Sequence, residues 1–210
     1  MKAQRGARSS HPSYPKRSAT GLATEAEIIR VAIPMFAVRG YGFVSMREIA
    51  IGAGITAPTI YNYFADKKQL YKAVCAECLL RSSNRIAEAI ADAKDARERV
   101  HCFVYALTET MISDSDSTML FQRELIFADR EMLSLMSEQP FKSVFNTVAK
   151  SLEELTGSQS SSLQTTAIYA LTLGMIQYGQ LFEAGGFKPF PFDNNPEQLA
   201  KFVLEILVKN

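Results

Sequence analysis

An all-helical fold is predicted by three features of the chain. Apolar residues recur at three- and four-residue spacing through most of its 210 positions. Capping signatures announce successive helix starts, and glycines mark stops. No convincing run of apolar–polar alternation interrupts this pattern. The expected architecture is a small N-terminal three-helix head containing a helix-turn-helix, followed by a larger helical bundle.

Residues 1–23 are polar, contain Pro12 and Pro15, and carry five basic residues with no acid. They read as a flexible basic arm. Thr24 with Glu27 predicts the first helix start, and Ile29, Ala32, Ile33 and Phe36 fall on one face before a stop at Gly40. Pro34 leaves room for a kink. Ser45 with Glu48 opens a second short helix, which Gly54 ends in a tight turn. The third starts at Thr56 and tolerates Pro58, because N–H groups of a first turn have no helical partner. Asp66 with Gln69 opens the next helix, over 67–92. Further helices are predicted over 96–112, 118–128, 130–156 with a break at Pro140, 161–184 and 196–208, the last opened by Asn195-Pro196-Glu197-Gln198. The segment GGFKPFPFDNN before it is the one long irregular stretch of the body.

Composition narrows the function. Nearly half the residues are hydrophobic, enough for one or two ordinary cores, and no run approaches the roughly 18 apolar residues of a membrane span. The net charge of +1 conceals a split: residues 1–68 hold ten basic and four acidic residues, a net +6, whereas the remainder is −5. A basic head on an acidic body suits a polyanion held at one end. Cys75, Cys78 and Cys102 are an odd number, and the first residues lack an apolar export core, so free thiols in a cytoplasmic protein are expected. Metal or thiol sensing by Cys75, Cys78 and Cys102 with His101 is a weaker alternative, since a structural zinc site needs four compactly placed ligands. An enzyme is not expected: the sequence has no glycine-rich phosphate loop, no nucleophile elbow and only two histidines.

The third helix places Ile60 and Phe64 toward the head core, leaving Ala57, Pro58, Thr59, Tyr61 and Asn62 on the exposed side. In a helix-turn-helix the N-terminal part of that helix enters the major groove. Ala57, Pro58 and the Thr59 methyl offer apolar contact to a thymine methyl, whereas Tyr61, Asn62 and Tyr63 offer donors to phosphate. Arg47, in the first turn of the preceding helix, can pair bidentately with guanine and is expected to be the strongest base reader.

Taken together, G40-Y-x-x-x-S45-M-R-E-I-A-x-x-A53-G-I-T-A-P-T-I-Y-N-Y-F64-x-x-K67-x-x-L70 closely resembles the DNA-binding domain of the TetR family of transcriptional regulators. The resemblance implies an all-α dimer, with residues 24–68 binding double-stranded palindromic operator DNA and residues 69–210 binding a small molecule and dimerising. It puts base contacts at Arg47, Ala57, Pro58, Thr59 and Tyr61, and phosphate contacts at Ser45, Thr56, Asn62, Tyr63 and Lys67. The slot at Ala57 is often longer and polar in the family, which shifts readout toward Arg47 or DNA shape.

In the body, Ala167, Ala170 and Gly174 lie near one helix face beside Leu171, and the final helix adds Phe202 and Ile206 to a broad apolar stripe. Small residues permit close helix approach, so these six are the expected homodimer interface, as half of an intermolecular four-helix bundle. The body is rich in aromatics and adaptable methionines, which suits a bulky, largely apolar effector. Phe103, Met111, Phe121, Phe145, Tyr169, Gln177 and Tyr178 are the candidate ligand residues, with Gln122, Arg123, Glu124 and Gln180 as further polar anchors. The leading expectation is a repressor released from its operator by that ligand, with no cofactor and no membrane partner. The alternative is a constitutive or partner-controlled DNA-binding regulator with a solid body.

Overall fold

A computed structural model describes residues 19–127, 130–137, 140–186 and 195–207, and among them there is no strand. Ten α-helices follow in order: α1 Ala19–Arg39, α2 Met46–Gly52, α3 Ala57–Ile60, α4 Lys67–Ala91, α5 Ala96–Ser113, α6 Ser115–Phe127, α7 Arg130–Met136, α8 Phe141–Thr156, α9 Ser161–Ala184 and α10 Pro196–Leu207. A 3-10 turn, Tyr41–Phe43, links α1 to α2.

Local chemistry explains most boundaries. The Ser45 side chain accepts the Glu48 N–H at 3.2 Å while Glu48 Oε2 accepts the Ser45 N–H at 2.8 Å, so the predicted capping box forms. Asp66 Oδ1 accepts the Gln69 N–H at 2.8 Å, but the Gln69 side chain returns to the Ala65 N–H instead. Asn195 Oδ1 caps α10 by accepting from Glu197 N at 3.0 Å. Gly54 adopts φ +67° in the α2–α3 turn, as its position requires.

Four expectations need correction. The Thr24–Glu27 box does not form, because α1 already starts at Ala19. Thr24 is therefore inside the helix, where its hydroxyl donates to Thr20 O at 3.0 Å, and Glu27 instead holds Arg30. The helix thus takes in residues 19–23 of the predicted arm, the rest of which lies outside the described residues, as do residues 187–194 of the irregular segment. Second, α1 runs unbroken through Pro34. Third, α6 begins at Ser115 rather than 118, started by Asp114, whose carboxylate accepts the Ser117 N–H at 3.2 Å. Fourth, α3 ends at Ile60, and the chain tightens into a turn in which Tyr63 N donates to Ile60 O at 3.0 Å.

Two hydrophobic clusters hold the chain. One joins Ile28, Phe36, Val44, Ile49, Ile60, Phe64, Leu70 and Val74 of the head with Leu120, Met132 and Met136 of α6 and α7. The other gathers Ile86, Val100, Phe103, Leu107, Val148, Leu152, Ile168 and Val203 from α4, α5, α8, α9 and α10. The helix α4 contributes to both, and α6 packs on α1 as well as α4. Head and body are thereby joined through shared apolar packing rather than by a loose linker.

Candidate nucleic-acid interface and effector cavity

The geometry of the head starts at Gly40, whose φ of +81° and ψ of +161° belong to a region open essentially to glycine alone. This reverses the chain after α1. Arg39 then donates to Phe43 O and pairs with Glu48 at 2.9 Å, fixing the corner before α2. Hydrogen bonds from the Ser45 hydroxyl and Ser45 N–H, with Arg39 beside them, hold the Glu48 carboxyl down at about 2. The α2–α3 pair rests on Ile49 and Ile60, both fully buried.

On this frame Arg47, Pro58, Tyr61 and Asn62 are exposed, and Ala57 and Thr59 are partly so. Arg47 lies on α2, Ala57, Pro58 and Thr59 on α3, and Tyr61 and Asn62 in the turn after it. Thr56 and Thr59 are joined hydroxyl to hydroxyl at 2.7 Å, so the cap orients the first turn of α3. The Ser45 hydroxyl also contacts Glu48 Oε2 at 2.7 Å, which occupies its donor. Tyr63 is half-buried and packs against the head core. The Lys67 ammonium donates to Tyr41 O at 2.8 Å and Val44 O at 3.1 Å, and stands 4.4 Å from the centre of the Tyr41 ring. It ties α4 to the α1–α2 corner, leaving one of three N–H donors for other partners.

A cavity of about 70 Å³ lies among α4, α5, α6, α7, α8 and α9. Its lining is mostly apolar and includes Leu79, Ile86, Leu107, Met111, Leu120, Phe121, Met136, Phe141 and Tyr169, with the thiols of Cys75 and Cys78. Burial pushes the Cys75 thiol up to about 12 and raises Cys78 as well, so both face the cavity as neutral thiols. Of the seven candidate ligand residues, Met111, Phe121 and Tyr169 line this space. The other four do not. Phe103 is fully buried behind Tyr169, edge-on at 5.3 Å, and Phe145 stacks on the same ring at 6.5 Å. Gln177 and Tyr178 are exposed, because α9 turns Thr165, Ile168, Thr172 and Ile176 inward and carries 177 and 178 around to the other side.

Sequence reasoning missed several polar lining residues, among them Ser83, Thr110, Ser117 and Thr118. Glu124, one of the further anchors, lines the cavity and is buried, and its Oε1 accepts the Tyr71 hydroxyl at 2.6 Å. The Tyr71 ring in turn meets Phe36 and Tyr41 edge-on, each at 5.0 Å. A continuous line of contact therefore runs from the cavity wall through Glu124, Tyr71 and Tyr41 to Lys67 and the helix-turn-helix corner. Next to Glu124, Arg123 reaches the other way and donates to Ala37 O at 3.2 Å, close beside Gly40.

On the outer side of the body, Ala167 and Ala170 of α9 are exposed, with Leu163 at 70 %, Leu181 at 62 % and Ile206 of α10 at 48 %. Gly174 is intermediate, and Leu171 and Phe202 pack partly against the chain's own second cluster. The six predicted interface residues thus divide between an open face and the edge of the internal core.

Residues 28–74 match the family described as bacterial regulatory proteins, tetR family. The HTH-type transcriptional activator FasR of Mycolicibacterium smegmatis is 28 % identical over 101 residues, covering 48 % of this chain and 46 % of that one. The chain spans about half the length of the curated relatives it matches. The fold extends further: the fatty acid degradation regulator FadR of Bacillus halodurans superposes with a TM-score of 0.71 at 19 % identity, covering 93 % of this chain and 98 % of that one. FadR of Bacillus subtilis, solved in complex with stearoyl-CoA, gives a TM-score of 0.65 at 20 % identity over 88 % of this chain and 97 % of that one. Over residues 28–74 this chain therefore carries a helix-turn-helix of the bacterial tetR regulatory family, joined to an all-helical body whose fold the solved FadR structures share.

Proposed function

We propose that the protein is a homodimeric, sequence-specific DNA-binding repressor, released from a palindromic operator by a small, largely apolar ligand held in the body. One observation carries the ligand part: the apolar cavity is walled by α6, the same helix that grips α1 of the head and α4, which joins head to body. A ligand that spreads the cavity walls would move α6, and with it the spacing of the two recognition helices, which must match major grooves roughly 34 Å apart. The stearoyl-CoA held by the similarly folded Bacillus subtilis regulator supports trying acyl thioesters first.

In this reading Arg47 reads a base edge, with Ala57, Pro58, Thr59 and Tyr61 beside it. Thr56, Asn62 and Tyr63 hold phosphates, and Ser45 and Lys67 chiefly fix the frame. Residues 24–68 form the DNA-reading unit, the remainder binds ligand and dimerises, and the protein acts in the cytoplasm. The test is selection of bound sequences from a randomised duplex pool, followed by anisotropy of the selected duplex during titration with apolar ligands of increasing chain length, acyl-CoA thioesters first and 1-alkanols after them. Enrichment of a palindrome that one of these series releases is the expected result. Release by neither series, with DNA reading intact, would favour the regulator that takes no effector; tightened binding would reverse the sign of control.

A further inference from the structure

The cavity is not uniformly apolar, and its polar atoms have a definite chemistry. Thr110 is 4 % exposed and its hydroxyl has no hydrogen-bond partner within the protein, although a helical threonine ordinarily bonds the carbonyl one turn back. Thr108, two residues earlier on α5, does this at 2.7 Å to Val104 O. A buried hydroxyl left unbonded costs stability. Arg81 Nε, Gln164 Oε1 and Thr172 Oγ1 are also buried without a partner but belong to residues outside the cavity lining, so Thr110 is the unbonded group that a ligand in this cavity can complete. The same lining holds the buried Glu124 carboxylate, which only accepts hydrogen bonds and already takes one from Tyr71. Arg81 is not in the lining; it donates to Ser117 at 3.2 Å and pairs with Asp114 at 3.3 Å. The described lining therefore contains no Lys or Arg to receive an anion.

From this we infer that the effector's buried part carries an uncharged group able both to donate and to accept, a hydroxyl or primary amide on an apolar body, bonded by Thr110 and Glu124. A free fatty-acid carboxylate is the wrong ligand, since it would bring a second anion beside Glu124 without a donor of its own. The inference rests on the proposal that this cavity takes the effector, and names its chemistry. It also gives Glu124 two roles, because a ligand donor on this carboxylate competes with the Tyr71 hydroxyl that links it to the head.

The test compares four probes of equal chain length, 1-decanol, decanamide, methyl decanoate and decanoate, by calorimetric titration of the full-length protein and by release of the selected operator. Decanol and decanamide should bind about ten-fold or more tightly than methyl decanoate and decanoate. Thr110→Val should weaken decanol several-fold yet leave the unliganded melting temperature equal or higher, because it removes a hydroxyl with no partner. Glu124→Gln, which keeps an acceptor for Tyr71, should shrink the discrimination against decanoate. Decanoate binding as well as decanol, or Thr110→Val binding decanol as wild type does, would overturn the proposed chemistry. If the acceptor-only or anionic probe released DNA, ligand control would stand while this inference fell. Binding by none of the four would overturn both.

Discussion

Replacing Tyr71 by phenylalanine keeps the ring against Phe36 and Tyr41 but takes away the hydrogen that Glu124 accepts at 2.6 Å. A buried acceptor without its donor costs about 1–3 kcal/mol, so the unfolding free energy of Tyr71→Phe from urea titration should fall by that amount and its midpoint with it, with helicity retained. Unchanged stability would show that the pair is not a structural tie. Arg47 is the opposite case, exposed and outside the core, so Arg47→Ala should leave the midpoint alone while weakening the selected operator by about 1–3 kcal/mol and relaxing preference at one base pair. Glu48 makes the pH dependence. Its carboxyl is held at about 2, below its ordinary value of 4.5, so the ionised form is favoured by the fold. Its contribution is complete above the ordinary value and is lost as pH falls from there through about 2. Acid unfolding followed at α2 should shift to lower acidity in Glu48→Gln, and an unshifted profile would remove Glu48 from the acid response.

At the scale of elements, Gly40 shows how a single backbone geometry joins two parts of the molecule. An added methyl there would stand 2.5 Å from the Arg123 guanidinium, and the φ of +81° is strained for any L side chain. Gly40→Ala should cost about 1–3 kcal/mol of folding stability, and Arg123→Ala combined with it should recover only the steric part. Gly157, at φ +63° in the open cap of α8, has nothing near its missing methyl and should lose about 1 kcal/mol or less as alanine. Helix positions were legible in the sequence because caps such as Ser45, Asp66 and Asn195 act within four residues of themselves. Thr24 misled for the same local reason: its pattern fits a cap, yet a helix continuing from Ala19 leaves it no non-helical backbone to cap from. The cavity was less legible. Periodicity identifies the buried side of α9, but not whether that side meets a neighbour or a gap, so Tyr169 and Tyr178 looked alike in sequence although they face opposite ways. Thr110 left no sequence signal at all, since its lack of a partner follows from three-dimensional packing.

At the scale of the molecule, α9 is apolar on two sides, and a single chain covers only one of them. Ile168, Thr172 and Ile176 are buried against the body, while Leu163, Ala167, Ala170 and Leu181 are left open on the other side. A helix apolar on two faces requires cover on both, and an exposed face rimmed by Ile206 of α10 suits a second copy across a two-fold axis. The two alanines matter because they let paired helices approach closely, so a bulky charge at one of them should be far more disruptive than at the rim. Ala170→Glu would place a carboxylate beside its own symmetry mate's surface without touching the internal core. Sedimentation should then report the 23.3 kDa chain mass in place of twice that value, with helicity unchanged. Operator affinity should fall by about 10²–10⁴, because each head would have to find its half-site alone rather than tethered to a bound neighbour. A variant that stays dimeric would move the interface elsewhere on the body. One that becomes monomeric yet holds the operator as tightly as before would instead break the link between pairing and DNA reading.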